Sequence, residues 1–256
     1  MNEKQQSVQD AIQCMRDSYN RVGSVYEQAV EPFHRAVMYP VLLRLLEEFL
    51  PTIEESAILD AGCGAGSLMD MLQEKGAISV GVDVSSEFVV MVRNRGLQAE
   101  EASITDMPFV NGAFNAIISN FVINNLPLEG QQQALSEFAR VLKPEGVCVF
   151  SCIHPSLMRV HYSDGKAQPI TDSYYIPQRV LELNQLGETF RIYLTDFSEI
   201  INWASGAGFI VQRVIEPAPP DNLEAFIEHT TDEQARSLLE SFRLRPYGLY
   251  VVLQKK

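Results

Sequence analysis

Three glycines directly follow a short apolar run in ILDAGCGAG, residues 58–66, at Gly62, Gly64 and Gly66. Glycine lets the backbone turn tightly and lets a ligand reach the main chain without meeting a Cβ. In an open α/β sheet, ligands bind beyond the carboxyl ends of the strands, so a glycine turn leaving a strand is a cofactor cradle. The spacing here is G-x-G-x-G. It differs from the G-x-G-x-x-G of dinucleotide sites, and the P-loop pattern G-x-x-x-x-G-K-[ST] is absent from the chain. An acid, Asp83, closes the next apolar run about 20 residues on, where a carboxylate accepts from both hydroxyls of a ribose. Loop and acid together suit a nucleoside, and the spacing disfavours a diphosphate. The plainer readings are a bare strand-to-helix turn and a helix-capping acid.

His154 in SCIHPS is the second chemical candidate. It follows an apolar strand pattern at the same edge, and Pro155 stiffens its backbone. An imidazole there takes a proton from an acceptor, orients a substrate, or serves only the structure. His161 is a weaker candidate, while His34 and His229 have surface or packing roles. Cys148 and Cys152 lie near His154, but in an apolar pattern where buried free thiols are the commoner outcome. No metal is expected.

The elements that must position these residues alternate. ESAILDAG is a strand, GSLMDMLQEKG a helix ending at Gly76, ISVGVDV a strand, and SSEFVVMVRNRG a helix capped by Ser85 or Ser86 and stopped by Gly96. LQAEEAS, FNAIISN and GVCVFSC continue as strands, with the helix EGQQQALSEFARVL before the last. Val- and Ile-rich strands separated by helices predict a mostly parallel, Rossmann-like sheet covered on both faces. Residues 154–195 break the rhythm with prolines, glycines and tyrosines, and are expected to form a cap inserted after the fifth strand. DFSEIINWASGAG then gives a helix, and FIVQRVIE and YGLYVVLQKK give two strands, making seven. Residues 1–50 carry a helical pattern placed to cover the ligand edge as a lid, leaving 51–256 as the main domain.

The whole chain narrows the partners. Its 256 residues carry a net charge of −13, which repels phosphate backbones and anionic lipid surfaces, and the lysines and arginines are scattered. Neither nucleic acid nor membrane is an expected partner. The polar start MNEKQQSVQD is neither a signal peptide nor a span. Four cysteines without a C-x-x-C pair fit a reduced cytoplasm.

ILDAGCGAG, VGVDVS, ITDMPF, FNAIISN and RVLKPEGVCVFS, in that order, resemble the class I S-adenosylmethionine-dependent methyltransferases, most closely the small-molecule group that includes the ubiquinone-type enzymes. The resemblance covers roughly residues 20–215, and is strongest over 56–152. It implies S-adenosylmethionine as cofactor, with its methionine portion held along Asp60, Ala61, Gly62 and Gly64. Asp83 would take the ribose hydroxyls and Val84 would pack on the adenine. Where the family usually places an acid for the adenine amino group, this chain has Ser103, followed by Ile104. Asn120 would present its carbonyl to the methionine ammonium, with Phe121 beside it. Ser103 and Asn120 suit loop hydrogen bonding equally well.

Within that family, the N-P-P-Y-like motif of adenine-N6 enzymes is replaced by SNFVI, and the Pro-Cys pair of cytosine-C5 enzymes is absent. The expected acceptor is therefore a small molecule, methylated by in-line displacement in a monomer or homodimer. Tyr162, Tyr174 and Tyr175 of the cap are pocket or packing residues, as are Tyr19 and Tyr26 of the lid. A protein or peptide methyltransferase and a non-catalytic cofactor-binding module are the other readings.

Overall fold

In the computed structural model, residues 3–154, 160–163, 166–169, 180–230, 236, 239–240, 242–243 and 246–256 are described. The chain opens with a long helix, α1 (Glu3–Phe33), a π-helical turn (His34–Met38) and α2 (Tyr39–Phe49). An alternating stretch follows: β1 (Ala57–Ala61), α3 (Ser67–Glu74), β2 (Ile78–Asp83), α4 (Ser86–Asn94), β3 (Gln98–Glu101), β4 (Phe114–Asn120), α5 (Leu128–Val141) and β5 (Leu142–Cys152). Two antiparallel strand pairs come next, β6 (Val160–Ser163) with β7 (Lys166–Pro169), and β8 (Val180–Gln185) with β9 (Glu188–Tyr193). The chain returns through α6 (Phe197–Gly206), β10 (Phe209–Ile215), α7 (Leu223–His229) and β11 (Leu249–Lys255).

Seven strands form one sheet in the order β10-β11-β5-β4-β1-β2-β3. The β5-β4-β1-β2-β3 part is parallel, and β11 runs antiparallel to both β5 and β10. The central strands β1, β4, β5 and β11 carry nearly continuous apolar runs because both faces are buried there. Alternation then sorts the side chains. Leu59, Ile117, Phe150 and Val251 face a core completed by α5 and α6, whereas Ile58, Ile118, Val149 and Val252 face one completed by α2, α3 and α7. Phe138 of α5 is fully buried in the first core, a contribution of roughly 1.5–3 kcal/mol by area.

The expected helix boundaries hold locally for stated reasons. Ser85 caps α4, its hydroxyl accepting from the Phe88 N–H at 3.2 Å. Asp196 and Glu199 form a capping box at the start of α6. Gly76 and Gly96 follow α3 and α4 at positive φ, 80° and 77°.

Helix α1 has 31 residues, about 46 Å at 1.5 Å per residue, enough to cross a domain. Val8 and Ile12 pack into the α5 and α6 core, Met15 and Val22 pack with Phe190 of β9, and α2 lies on the opposite face. The N-terminal helices thus pass from one face of the sheet to the other. Of the 154–195 insertion, β8 and β9 pack against α1, and Arg21 pairs with Glu188 at 2.6 Å. Pro155, Gly165, Tyr174, Tyr175 and Pro177 lie outside the described residues. His161 and Tyr162 stand in β6.

Candidate functional site

The glycine turn leaves β1 at the carboxyl edge. Gly62 and Gly66 adopt φ of 83° and 90°, and Gly64 adopts 51°. The N–H groups of Gly62 and Cys63 both donate to the Val82 carbonyl, at 2.7 and 3.1 Å, which folds the loop over the end of β2. Gly62 is glycine for packing: a Cβ there would stand 2.2 Å from Val122 Cγ2. At Gly64 a Cβ would meet no atom within 4 Å. One glycine seats the loop on the protein, and the other keeps the main chain bare toward open space.

Asp83 ends β2 beside this loop. Its Oδ2 accepts from Gly64 N at 2.9 Å and its Oδ1 from Ser85 N at 2.9 Å. Each oxygen retains a lone pair, so the carboxylate is held in place with acceptor capacity left for a diol. Burial raises its pKa, opposed by the N–H groups of Ser85, Gly64 and Val84. Val84 is half-buried, and its carbonyl accepts from Arg16 Nε at 3.1 Å.

Asp60 is 2% exposed and its Oδ2 has no hydrogen-bond partner. Burial first, then the charges of Asp83 and Glu31, push its pKa up to about 8. A buried orphan oxygen costs free energy unless a ligand pairs with it. Ala61 is fully buried, and its carbonyl accepts from Ser119 Oγ at 2.7 Å, joining the ends of β1 and β4.

Beyond β4 the chain kinks at Phe121, a non-glycine residue with φ of 57°. Ser151 holds the kink, since Phe121 N donates to its carbonyl at 3.2 Å and to its Oγ at 3.0 Å. The same hydroxyl donates to Asn120 Oδ1 at 2.8 Å. Ser103 spends its hydroxyl locally, on Thr105 Oγ1 at 2.8 Å and Thr105 N at 3.2 Å, and the Ile104 side chain is 4% exposed within the α5 and α6 core. These two residues sit after β3 on the edge that holds Asp83, with their side chains turned to the protein.

His154 follows β5 at the same edge. Its Nε2 lies 3.0 Å from Glu216 Oε1, just past β10. Strand β4 separates β5 from β1, so His154 stands about 10 Å sideways of the glycine turn at a strand spacing near 4.8 Å. Cys148 and Cys152 are buried, and burial pushes the Cys152 thiol up to about 12.

Further residues stand around this edge: Asn124, Asn125 and Glu31, which the sequence did not single out, and the two tyrosines of α1. Asn124 is 1% exposed, accepts from Ile153 N at 2.6 Å and donates to the Tyr193 carbonyl at 2.9 Å. Asn125 donates to the Tyr19 hydroxyl at 3.3 Å. Tyr19 and Tyr26 are half-buried together, ring centroids 5.4 Å apart, near Phe88 and Phe190. The π-helical turn carries Met38 to within 4.0 Å of Asn120 Nδ2. Beside it, the Tyr39 hydroxyl donates to Glu31 Oε2 at 3.0 Å. The signal for the asparagines was two adjacent amides in VINN right after a strand; for Glu31, a lone acid in a helix, there was none. A cavity of about 420 Å³ lies between α1 and β9, lined by Gln6, Asp10, Cys14, Met15, Arg191 and Tyr193 among others, and no glycine-turn residue lines it.

Parts of this chain are similar to known proteins. Residues 59–150 match the family model described as Methyltransferase domain. The chain is 33% identical over 128 residues to a human protein named probable tRNA methyltransferase 9B, covering 49% of this chain and 27% of that protein. It is 31% identical over 150 residues to the demethylmenaquinone methyltransferase of Tropheryma whipplei strain Twist, covering 55% of this chain and 60% of the relative. The chain thus spans less than two thirds of the length of either curated relative. Among solved structures, an S-adenosylmethionine dependent methyltransferase from Mesorhizobium loti superposes with a TM-score of 0.63 at 23% identity, covering 83% of this chain and 96% of that one.

Proposed function

We propose that this chain, whose residues 59–150 form a methyltransferase domain of the class I S-adenosylmethionine-dependent type, transfers a methyl group to a small-molecule acceptor. The observation that carries the reading is the bare main chain at Gly64, flanked by the held carboxylate of Asp83 and the unpartnered oxygen of Asp60. These residues fit the cofactor: a diol acceptor, an open backbone and a buried acid that lacks a cation lie at one strand end. When bound, the cofactor supplies an activated methyl and a neutral leaving group.

The protein's part is then to hold, orient and keep dry. Ala61, Gly62 and Gly64 give the backbone, and Val84 gives an apolar face. The Phe121 kink aims the end of β4, with Asn120, at the methionine part. Ser103 and Ile104 border the adenine end. The N-terminal helices act as a lid that excludes water. His154 is the residue placed to take a proton from an acceptor over β5, with Glu216 fixing its ring. The likeness to a demethylmenaquinone methyltransferase favours an aromatic or quinone-like acceptor. Among the described residues no helix is long and apolar enough to cross a membrane.

Calorimetric titration with S-adenosylmethionine, with NAD for comparison, tests the reading. Micromolar binding of the sulfonium cofactor is expected, weakened about tenfold or more in Asp83→Ala. Binding of NAD alone, or no binding by folded protein, would sink it.

A further inference from the structure

We propose that Glu31 of α1 and Asp60 of β1 together form a two-carboxylate cradle for the ammonium of the cofactor's methionine part, which makes Glu31, a residue of the lid, a positioning residue of the site. The inference rests on the cofactor reading above and adds to it a role for a residue outside the matched domain.

Two observations meet here. Among the described residues, three buried side-chain nitrogen or oxygen atoms have no hydrogen-bond partner, and two of them are Glu31 Oε1 and Asp60 Oδ2. The fold also puts them on one side. Along β1, Leu59 and Ala61 enter the α5 and α6 core, while Ile58 enters the core that holds Tyr39, Leu42 and Leu68. Strand alternation therefore sends Asp60 to the Tyr39 side. The Tyr39 hydroxyl donates to Glu31 Oε2 at 3.0 Å, and the preceding residue, Met38, touches Asn120 at the end of β4. Helix α3 begins on that face too, at Ser67, directly after Gly66.

Electrostatics agrees with the geometry. Burial raises the Glu31 pKa, the Ser67 and Tyr39 hydroxyls lower it, Glu27 raises it and Arg35 lowers it. Glu27 is paired with Arg95 at 3.3 Å, and Arg35 is exposed on the π-helical turn. Neither gives the two orphan oxygens a hydrogen bond. A primary ammonium has three N–H donors: it satisfies one oxygen of each acid and keeps one donor for a backbone carbonyl. Cofactor occupancy and lid docking then share an interaction, since Glu31 travels with α1.

The test compares two ligands on the full chain by calorimetry: S-adenosylhomocysteine, and its deamino analogue 4-(adenosylthio)butyrate, which keeps the carboxylate and lacks the ammonium. The wild-type protein is expected to prefer the amino ligand, and Glu31→Gln to shrink that preference about tenfold while binding the deamino ligand within about twofold of wild type. Tyr39→Phe, which leaves both carboxylates in place, should shrink the preference less. A preference unchanged in both variants, or equal weakening of both ligands, would overturn the assignment of Glu31 and leave the cofactor reading standing. If Glu31→Gln does not fold, Asp60→Asn decides in its place, and an unchanged preference overturns the two-carboxylate cradle. Wild-type protein that binds neither ligand overturns both readings.

Discussion

Gly62 and Gly64 are two residues apart, yet the structure gives them opposite obligations. Alanine at Gly62 would drive a Cβ to 2.2 Å from Val122 and would also hold a left-handed φ, a backbone cost of about 1–2 kcal/mol by itself. Gly62→Ala should therefore lower the unfolding midpoint by several degrees in a thermal melt, with or without ligand. Gly64→Ala carries only the backbone cost, because the new methyl points into open space. It should stay folded, melt within about 5 °C of wild type, and lose about tenfold or more in S-adenosylmethionine affinity. Equal stability losses would refute the division. Asp60 gives a second contrast, in pH. Its folded pKa of about 8 exceeds its ordinary 3.8, so between these values the folded state holds a proton that the unfolded chain has released. Stability contributed by this group therefore falls as pH rises from about 4 to 8. Asp60→Asn should match wild type near pH 4 and melt higher by roughly 5–10 °C at pH 8, while binding the ammonium-bearing cofactor less tightly. A constant gap across that range would show that Asp60 does not change its protonation.

Helix α1 ties itself to the cofactor edge through polar contacts as well as its apolar stripe. Asn20 Oδ1 accepts from Ser85 Oγ at 2.7 Å and from Glu87 N at 3.3 Å, so a residue of α1 completes the cap of α4. Arg16 holds the Val84 carbonyl one turn earlier. Both contacts fall on the turn that presents Asp83. Asn20→Ala should cost about 1 kcal/mol, speed amide exchange in both α1 and the 84–88 turn, and weaken nucleoside binding by a few-fold. Faster exchange confined to α1 would mean that the lid does not brace the turn. These cross-element contacts also mark the limit of what the sequence shows. The parallel sheet, the glycine turn and the cap at Ser85 were legible because local rules produce them: apolar runs, glycine at a tight turn, a hydroxyl before a helix. Asn20, Glu31 and Asn124 were not: Asn20 and Asn124 meet partners 29 or more residues away, Glu31 meets Tyr39 across the π-helical turn, and a lone polar residue looks the same in sequence whether it meets solvent or the protein. Tyr19 and Tyr26, pocket or packing residues by sequence, stand half-buried against Phe88 and Phe190. The π-helical turn at His34–Met38 had no sequence signal either.

At the scale of the molecule, charge separates two acceptor classes that share this fold. Similarity to a protein named for tRNA keeps RNA in view, but RNA binding needs free cations to meet phosphates. The chain has 20 Lys and Arg against 33 Asp and Glu. Among the described residues, eight of those cations, Arg21, Lys75, Arg93, Arg95, Arg140, Arg191, Arg213 and Arg243, are engaged with carboxylates. Each such pair is worth little to stability when exposed, yet it neutralises a charge that a phosphate would need. The long-range field is repulsive toward a polyanion, and lowering the salt strengthens the repulsion as the Debye length grows. With a tritiated methyl on the cofactor, counts should pass to a small-molecule pool of phenols and quinones and stay at background with unmodified tRNA at both 50 and 200 mM salt. A true RNA enzyme would show the reverse: transfer to tRNA that is strongest at low salt, with affinity falling steeply as salt rises. That pattern would place a cationic groove on a face that the pairing of these eight side chains does not reveal, and would move the acceptor from the small-molecule class to RNA.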